Sequence, residues 1–363
     1  MNKSIKKIGV VTGGGDCPGL NAVIRAVVKA ADRRGWESIG VLGGYEGLLA
    51  PHKTIPLDYQ ALNGLLTRGG TILGTANRGR FSAKVGHGVN RALPKELLDE
   101  VKAAMTDLEL DALVSIGGDG SLSIAQQMFE HGIPVVGIPK TIDNDLQGTM
   151  MTFGFDSAVN CATEALDRLH STAESHNRVM ILEVMGRYAG WIALFAGVAG
   201  GADVILMPEI PFSYESILKK IQERESQGKH FTMVIVAEGA RPKDGIMVAQ
   251  GKVQKDREER LGGIGADVAA ELEKLTGKEA RTCVLGHLQR GGCPTSFDRV
   301  LCCLYGTEAV ELVARGEFGK MVTYLGTQVG AIDLKDAVSN LKTVNPAGNL
   351  VKTACALGIC LGD

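Results

Sequence analysis

The sequence predicts an α/β protein whose strands form mostly parallel sheets covered by helices on both faces. Three observations carry this. Short apolar runs bounded by glycine recur, helical patterns separate them, and 363 residues with 45% apolar content are enough for a sizeable core and, by length, for two domains rather than one. The runs are "KIGVV" from 7, "SIGVL" from 38, "DALVSIG" from 111, "PVVGIP" from 134, "VMILEVM" from 179, "VILMP" from 204 and "MVIVAEG" from 233. Each is near-continuous rather than alternating, as in a strand buried on both faces. Between them, "GLNAVIRAVVKAADRRG" (19–35) and "SAVNCATEALDRLHSTAES" (157–175) repeat apolar residues at three and four, the stripe of an amphipathic helix. Alternation of the two patterns is the signature of a parallel sheet. The longest apolar stretch, "WIALFAGVAGGADVILM" (191–207), is broken by glycines and carries Asp203. It predicts a buried helix followed by a buried strand rather than a membrane span. Residues 243–263, charged and containing glycine, predict an exposed excursion, and there is no tandem repeat or low-complexity tract.

The net charge of -2 lacks the basic excess of a nucleic-acid binder, so the expected partners are small molecules, with neither nucleic acid nor membrane among them. Eight cysteines form no CxxC pair and none of the spacings of a zinc site, and they read as reduced core thiols. The start "MNKSIKKIGVV" runs from lysines straight into a strand, with no apolar stretch long enough for a signal peptide, which predicts a cytoplasmic protein.

In parallel α/β sheets ligands gather outside the carboxyl ends of the strands, and three loops there stand out. "TGGGDCPG" (12–19) ends a strand and opens a helix near Leu20, a geometry that offers backbone N–H groups to phosphate oxygens. Its spacing is neither GxGxxG nor a Walker loop, and a purely structural turn explains it equally well. "IGGDGS" (116–121) repeats the arrangement and adds Asp119 where backbone donors attract an anion. A divalent cation between phosphate and carboxylate would reconcile the two charges. The alternative is a helix start capped by Asp119 or Ser121. "IPKTIDND" (138–145) supplies Asp143 and Asp145 beside Lys140 and Thr141, either a general base with a tuning partner or an Asx-turn loop. Further on, Arg178, Arg187, Arg281, His287 and Arg290 are cationic groups suited to a phosphorylated substrate, although any one of them taken alone is more often a surface charge than a ligand.

The motifs "GVVTGGGDCPGLNAVIR", "RGGTILGTANRGRF", "IGGDGS", "PKTIDND", "EVMGRYAG" and "VLGHLQRGG" stand in one order. In that order they resemble the 6-phosphofructokinase family, from the N-terminus to about Tyr305. The resemblance implies two lobes, each a mostly parallel sheet sandwiched by helices. A donor lobe would comprise 1–154 plus about 289–340, and a fructose 6-phosphate lobe 155–288 plus the C-terminal tail. It further implies transfer of a phosphoryl group from Mg-ATP to the 1-hydroxyl of fructose 6-phosphate, a step of glycolysis, by a homodimer or homotetramer. Asp143 would be the base, with Thr141, Ile142 and Asp145 around the sugar and Arg187 also catalytic. Asp119 would ligate Mg²⁺, and Gly15, Gly79, Gly118, Gly120 and Ser121 would line the nucleotide. Arg78 would meet the transferring phosphoryl group, although "TANRGR" also offers Arg80. Met185, Gly186, Arg187, Glu238, His287, Leu288, Gln289 and Arg290 would hold the sugar phosphate, and Arg178 and Arg281 would reach in from a neighbouring subunit.

Family members use ATP or pyrophosphate, and here the two donor-specificity positions disagree: Gly120 is of the ATP type, Lys140 of the pyrophosphate type. A side chain at 120 would fill the space of a nucleotide α-phosphate, whereas a lysine helps either donor, so the balance falls to ATP. GGDG also occurs in NAD kinases and lipid kinases, which match this chain at one loop only. A non-catalytic sugar-phosphate or nucleotide sensor on the same fold is the alternative from another class, and it would have no use for a base such as Asp143.

Overall fold

The computed structural model describes residues 5–58, 60–76, 79–81, 84–85, 89–245, 247–250 and 260–363. In chain order the elements begin β1 (Lys7–Thr12), α1 (Leu20–Asp32), β2 (Glu37–Val41), β3 (Thr54–Pro56), β4 (Lys84–Val85), β5 (Val89–Asn90), α2 (Lys95–Asp107), β6 (Ala112–Gly117), α3 (Asp119–Glu130), β7 (Val135–Pro139) and α4 (Phe155–His176). They continue with β8 (Val179–Val184), α5 (Trp191–Ala199), β9 (Val204–Leu206), α6 (Tyr214–Ser226), β10 (Thr232–Ala237), β11 (Ala249–Gln250), β12 (Arg260–Leu261), α7 (Ile264–Thr276) and β13 (Ala280–Val284). Last come α8 (Ser296–Arg315), β14 (Lys320–Tyr324), β15 (Val329–Asp333), α9 (Leu334–Ala337) and α10 (Asn349–Ala356). The chain divides into two compact units, Met1–Ser157 with Arg290–Leu341, and Ala158–Gln289 with Lys342–Asp363.

The first unit is built on a seven-stranded sheet of order β15-β14-β7-β6-β1-β2-β3. It is parallel except where β3 and β15 turn back as antiparallel edges. The chain leaves β1 toward β2 on one side, then returns to lay β6 and β7 on the other, so the strand order reverses between β1 and β6. That reversal opens a crevice at the strands' carboxyl ends. Val10, Val11, Leu113, Val114, Val135 and Val136 are fully buried, which accounts for the unbroken apolar runs in the sequence.

The second unit holds a four-stranded sheet of order β13-β8-β10-β9, parallel throughout. The C-terminal tail extends it through a parallel bridge between Cys360 and Val204. Its core of Ile181, Val204, Leu206, Ile217, Val234, Val236, Val268 and Leu272 packs the sheet against α6 and α7. Each such side chain contributes roughly 1.5–3 kcal/mol by leaving water.

All seven apolar runs are strands, and the stretch 191–207 is α5 followed by β9. Strands β13, β14 and β15 carry no comparable run. β13 is an edge strand whose Val284 is 54% exposed, and an edge half in water needs no continuous apolar stretch. The reading of every cysteine as a core thiol is corrected for Cys293 and Cys355, which are exposed, one after the turn at Gly292 and one on α10. Of the expected excursion, β11 and β12 pair as a short antiparallel ribbon, while residues 246 and 251–259 lie outside the described residues. No helix among the described residues is long and apolar enough to cross a membrane.

Candidate active site

In the first unit the three loops leave adjacent strands at one level: Thr12 pairs with Ile116 across β1 and β6, and Gly117 with Pro139 across β6 and β7. The first loop is pinned by its own backbone, Gly13 N–H donating to the Ile116 carbonyl at 2.9 Å. A Cβ at Gly13 would come 2.5 Å from Ser121 Oγ, so the absence of a side chain lets the β1 and β6 loops touch. The segment 68–76 is tied over this loop. Thr12 Oγ1 donates to the Gly74 carbonyl at 2.8 Å and Thr75 Oγ1 to the Gly14 carbonyl at 2.6 Å. The buried Asn21 amide donates to the carbonyls of Arg68 and Gly69 and accepts from Ile72 N–H.

Arg78 lies outside the described residues. Gly79, at φ +109°, abuts the Glu46 carboxylate, and Arg80 forms an exposed bidentate pair with Glu100. The second arginine of "TANRGR" is therefore engaged with its own lobe.

Lys140 is 3% exposed and its ammonium donates to the carbonyl of Gly15. Burial lowers its pKa, and the same burial pushes the adjoining Cys17 thiol up to about 12 against the pull of Lys140. Through this bond the ammonium braces the backbone of the first loop. Arg290, grouped in the sequence reading with the sugar-phosphate residues, belongs to the first unit. Its guanidinium packs on Gly15, where a Cβ would lie 2.9 Å from Nη1, and it donates to the Asp16 carbonyl at 3.2 Å.

Helix α3 opens with Gly118 at the cap, and no side chain caps it. The cap position is thus Gly118, and not Asp119 or Ser121, the two residues the structural reading placed there. Asp119 is the first helical residue, where the helix dipole favours a negative charge. Gly120 follows with a φ outside the left-handed region, and a Cβ placed there meets no atom of the described residues within 4 Å. Glycine in a helix costs about 1 kcal/mol relative to alanine, and here neither backbone nor packing requires it.

In the third loop, Asp143 N–H donates to Thr141 Oγ1 at 3.1 Å, and Asp143 and Asp145 are half-buried. The residue that shapes the turn is Asn144, which sequence reasoning passed over. At φ +50° and 3% exposed, its Oδ1 accepts from Thr152 N–H at 3.0 Å and its amide donates to the Met150 carbonyl at 3.2 Å. An asparagine between two acids was the available signal, since it tolerates the left-handed region. Ile142 is fully buried, which leaves only its backbone for any substrate.

In the second unit the predicted sugar-phosphate residues, Arg290 apart, again follow adjacent strands: Met185–Arg187 after β8, Glu238 after β10, His287–Gln289 after β13. Glu238 N–H donates to the Val184 carbonyl at 2.9 Å and Gly239 N–H to that of Gly186 at 3.2 Å. Gly239 has to be glycine, because a Cβ there would overlap the Arg187 carbonyl. Gln289 is 1% exposed, and its Oε1 accepts Met185 N–H at 2.7 Å, so it anchors the loop from beneath. Arg187 is half-buried with its guanidinium carbon 5.6 Å above the Tyr188 ring. His287 and Leu288 are exposed. Arg178 and Arg281 converge on Glu279 from either side, and the Arg178 hydrogen bond holds that carboxyl below its usual range.

Among the described residues no three His, Cys, Asp or Glu side chains cluster as a metal cage. One carboxylate at a helix N-terminus beside the open position at Gly120 suits a cation of the Mg²⁺ kind, which arrives with phosphates and keeps most of its water. The arrangement defines a protein that handles phosphorylated ligands on two parallel α/β units.

A family model described as Phosphofructokinase matches residues 7–313, and the chain belongs to that family. An ATP-dependent 6-phosphofructokinase of Chloroflexus aurantiacus is 52% identical over 365 residues, covering 100% of this chain and 99% of that one. The solved structure of phosphofructokinase from Saccharomyces cerevisiae matches at a TM-score of 0.78 and 32% identity over 98% of this chain. The chain spans about half, 46%, of that protein's length. A pyrophosphate-dependent phosphofructokinase from Nitrosospira multiformis gives a TM-score of 0.82 at 22% identity, covering 99% of this chain and 93% of that one, a likeness of fold.

Proposed function

We propose that the protein transfers the terminal phosphoryl group of ATP to the 1-hydroxyl of fructose 6-phosphate, giving fructose 1,6-bisphosphate and ADP. The observation that carries the choice of donor is Gly120: a helix position with no internal reason to lack a side chain, facing space that a nucleotide phosphate needs. Lys140 does not count against it, because its ammonium is bound to the Gly15 carbonyl. The ATP-dependent name of a relative 52% identical over its whole length supports the same reading.

Asp143 takes the proton from the attacking hydroxyl, held by the turn that Thr141 and Asn144 shape. The backbone N–H of Gly15 and those at the start of α3 receive the donor phosphates, while Gly13 and Gly14 donate theirs to the Ile116 and Ala76 carbonyls to shape the loop, and Gly79, Gly118 and Ser121 lie around the nucleotide. Mg²⁺ held by Asp119 supplies positive charge to those phosphates when bound. Arg78, Arg187 and Arg290 offset the charge that develops in transfer, and Met185, Gly186, Glu238, His287 and Leu288 orient the sugar phosphate, with Gln289 beneath them. Arg178, just before β8, and Arg281, on the edge strand β13, serve a neighbouring copy's site in a homodimer or homotetramer working in the cytoplasm.

The test is a coupled assay of fructose 1,6-bisphosphate formation with Mg²⁺ and either ATP or pyrophosphate. Turnover with ATP alone is expected. Turnover with pyrophosphate alone would overturn the choice of donor, and turnover with neither would return the chain to the sensor reading.

A further inference from the structure

We infer that Glu209 is a positioning residue for the fructose 6-phosphate loop, clamping the end of that loop to the C-terminal tail. The inference rests on the proposed role of residues 185–187. Glu209 sits in the turn after β9, where Met207 and Ile210 form an antiparallel bridge. Both of its carboxylate oxygens accept the N–H of Gly190, at 3.0 and 3.1 Å, and Oε1 also accepts the N–H of Val344 at 2.7 Å. Gly190 ends the loop that begins at Met185 and caps α5. A Cβ at Gly190 would lie 2.9 Å from Glu209 Oε2, so the glycine is what lets the carboxylate come this close.

The loop is thus held at both ends by side-chain oxygens, the buried Gln289 on Met185 N–H and the half-buried Glu209 on Gly190 N–H. Its middle rests on Gly239. The second hydrogen bond of Glu209 brings in the tail, and that contact is doubled. Trp191 Nε1, one residue past the loop, donates to the Lys342 carbonyl at 2.8 Å, and the Lys342 ammonium lies 5.8 Å over the same indole. Residues 342–344 and 190–191 therefore form one braced unit, with Glu209 as the only carboxylate among these contacts. Hydrogen bonds to a charged acceptor are the stronger kind, and removing the acceptor leaves two N–H groups without it. Displacement of the loop then moves Arg187, and small displacements at a reacting centre are costly.

The experiment compares the purified full-length wild type with Glu209→Gln, Glu209→Ala and Asp203→Asn, reading KM for fructose 6-phosphate, KM for ATP, kcat and the thermal midpoint. Asp203 is the control, because it stands at the opposite end of β9, is also largely buried, and accepts Met233 N–H at 2.8 Å without touching the loop. Glu209→Ala is expected to raise KM for fructose 6-phosphate by about tenfold, the loss of one charge-assisted hydrogen bond, with KM for ATP nearly unchanged. Glu209→Gln keeps one acceptor oxygen and is isosteric, so it should fall between wild type and alanine and remains readable if the alanine variant does not fold. Asp203→Asn should lower the thermal midpoint and leave KM for fructose 6-phosphate alone. If either Glu209 variant only lowers the midpoint as Asp203→Asn does, or shifts both KM values equally, the positioning role is wrong. A wild type that does not phosphorylate fructose 6-phosphate removes the reading on which the inference stands, and that outcome is separate because it shows before any variant is compared.

Discussion

The two loop clusters sit in equivalent places, beyond the carboxyl ends of three adjacent parallel strands, yet they are made of different material. In the first unit the chain strips side chains away: at Gly13 and Gly15 this lets Ser121 and Arg290 pack close, at Gly120 it leaves open space beside the first N–H groups of α3, and Lys140 braces from behind. In the second unit the functional side chains stay, and the support lies below them, in Gln289 and Glu209 for the loop after β8 and in Glu183, whose buried carboxylate accepts Gly263 and Gly265 N–H ahead of α7. A polyphosphate with its metal is served by many weak backbone donors and by room. A sugar phosphate, with hydroxyls to orient and one anionic group, is served by charged side chains fixed in place.

Asp143 is the point where the first cluster depends on a side chain, so its removal has the largest expected effect. Asp143→Asn keeps the shape of the turn and removes the base, and kcat should fall by about 10³-fold, within the usual range for general-base catalysis, with KM for fructose 6-phosphate nearly unchanged. Steady-state kinetics at saturating ATP decides this. A loss of less than about tenfold would place the base elsewhere.

A single kind of change, glycine to alanine, should have opposite signatures in the two clusters. At Gly120 the new Cβ meets no described atom, and the helix gains up to about 1 kcal/mol, so the melting temperature should hold or rise while kcat/KM for ATP falls. At Gly239 the Cβ overlaps the Arg187 carbonyl and forces a shift, costing about 1–3 kcal/mol and raising KM for fructose 6-phosphate. Calorimetry and kinetics on both variants test the contrast. A destabilised Gly120→Ala would mean that the glycine serves the fold rather than a ligand.

The same difference explains what could be read from the sequence. Glycine clusters or paired acids directly after apolar runs are visible in one dimension, so the three loops of the first unit and the strands that carry them were legible, and Asp119 and Asp143 stood out as acids among glycines or in a polar turn. The clamps were not legible. Nothing around Glu209 in "MPEIPF" or Gln289 in "HLQRGG" announces that their oxygens meet the N–H groups of Gly190 and Met185, 19 and 104 residues away. The resemblance carried by "VLGHLQRGG" groups Arg290 with the sugar-phosphate residues, and nothing in that motif announces that its guanidinium packs on Gly15, 275 positions earlier. The edge strands β13 and β15 escaped for want of two buried faces, and β14, inside the sheet, because its buried stretch from Met321 to Thr323 is too short to stand out.

The first unit has one buried carboxylate brace of its own, and it yields the smallest and most specific prediction. Asp298, fully buried in the first turn of α8, accepts the N–H of Ser157 at 2.9 Å and its hydroxyl at 2.6 Å. The cap residue Thr295 donates from Oγ1 to Asp156 at 2.5 Å, so the starts of α4 and α8 share one polar knot. Burial raises the Asp298 pKa from 3.8 to about 6, against the pull of the Ser157 hydrogen bonds. Between those values the folded protein keeps a proton that the unfolded chain has released, so stability contributed by this group rises as pH falls through 6 and is complete below about 4. Above pH 6 the ionised group costs on the order of 3 kcal/mol relative to its protonated form. Glu209 and Asp203 are shifted in the same direction by burial, so the wild-type slope is a sum, and the difference from Asp298→Asn isolates one group. Urea midpoints at pH 5 and pH 7 should show the wild type gaining at least about 1 kcal/mol more than the variant on acidification. Parallel curves would mean that Asp298 titrates as an ordinary aspartate, and that its surroundings at the starts of α4 and α8 accept the charged form without measurable cost.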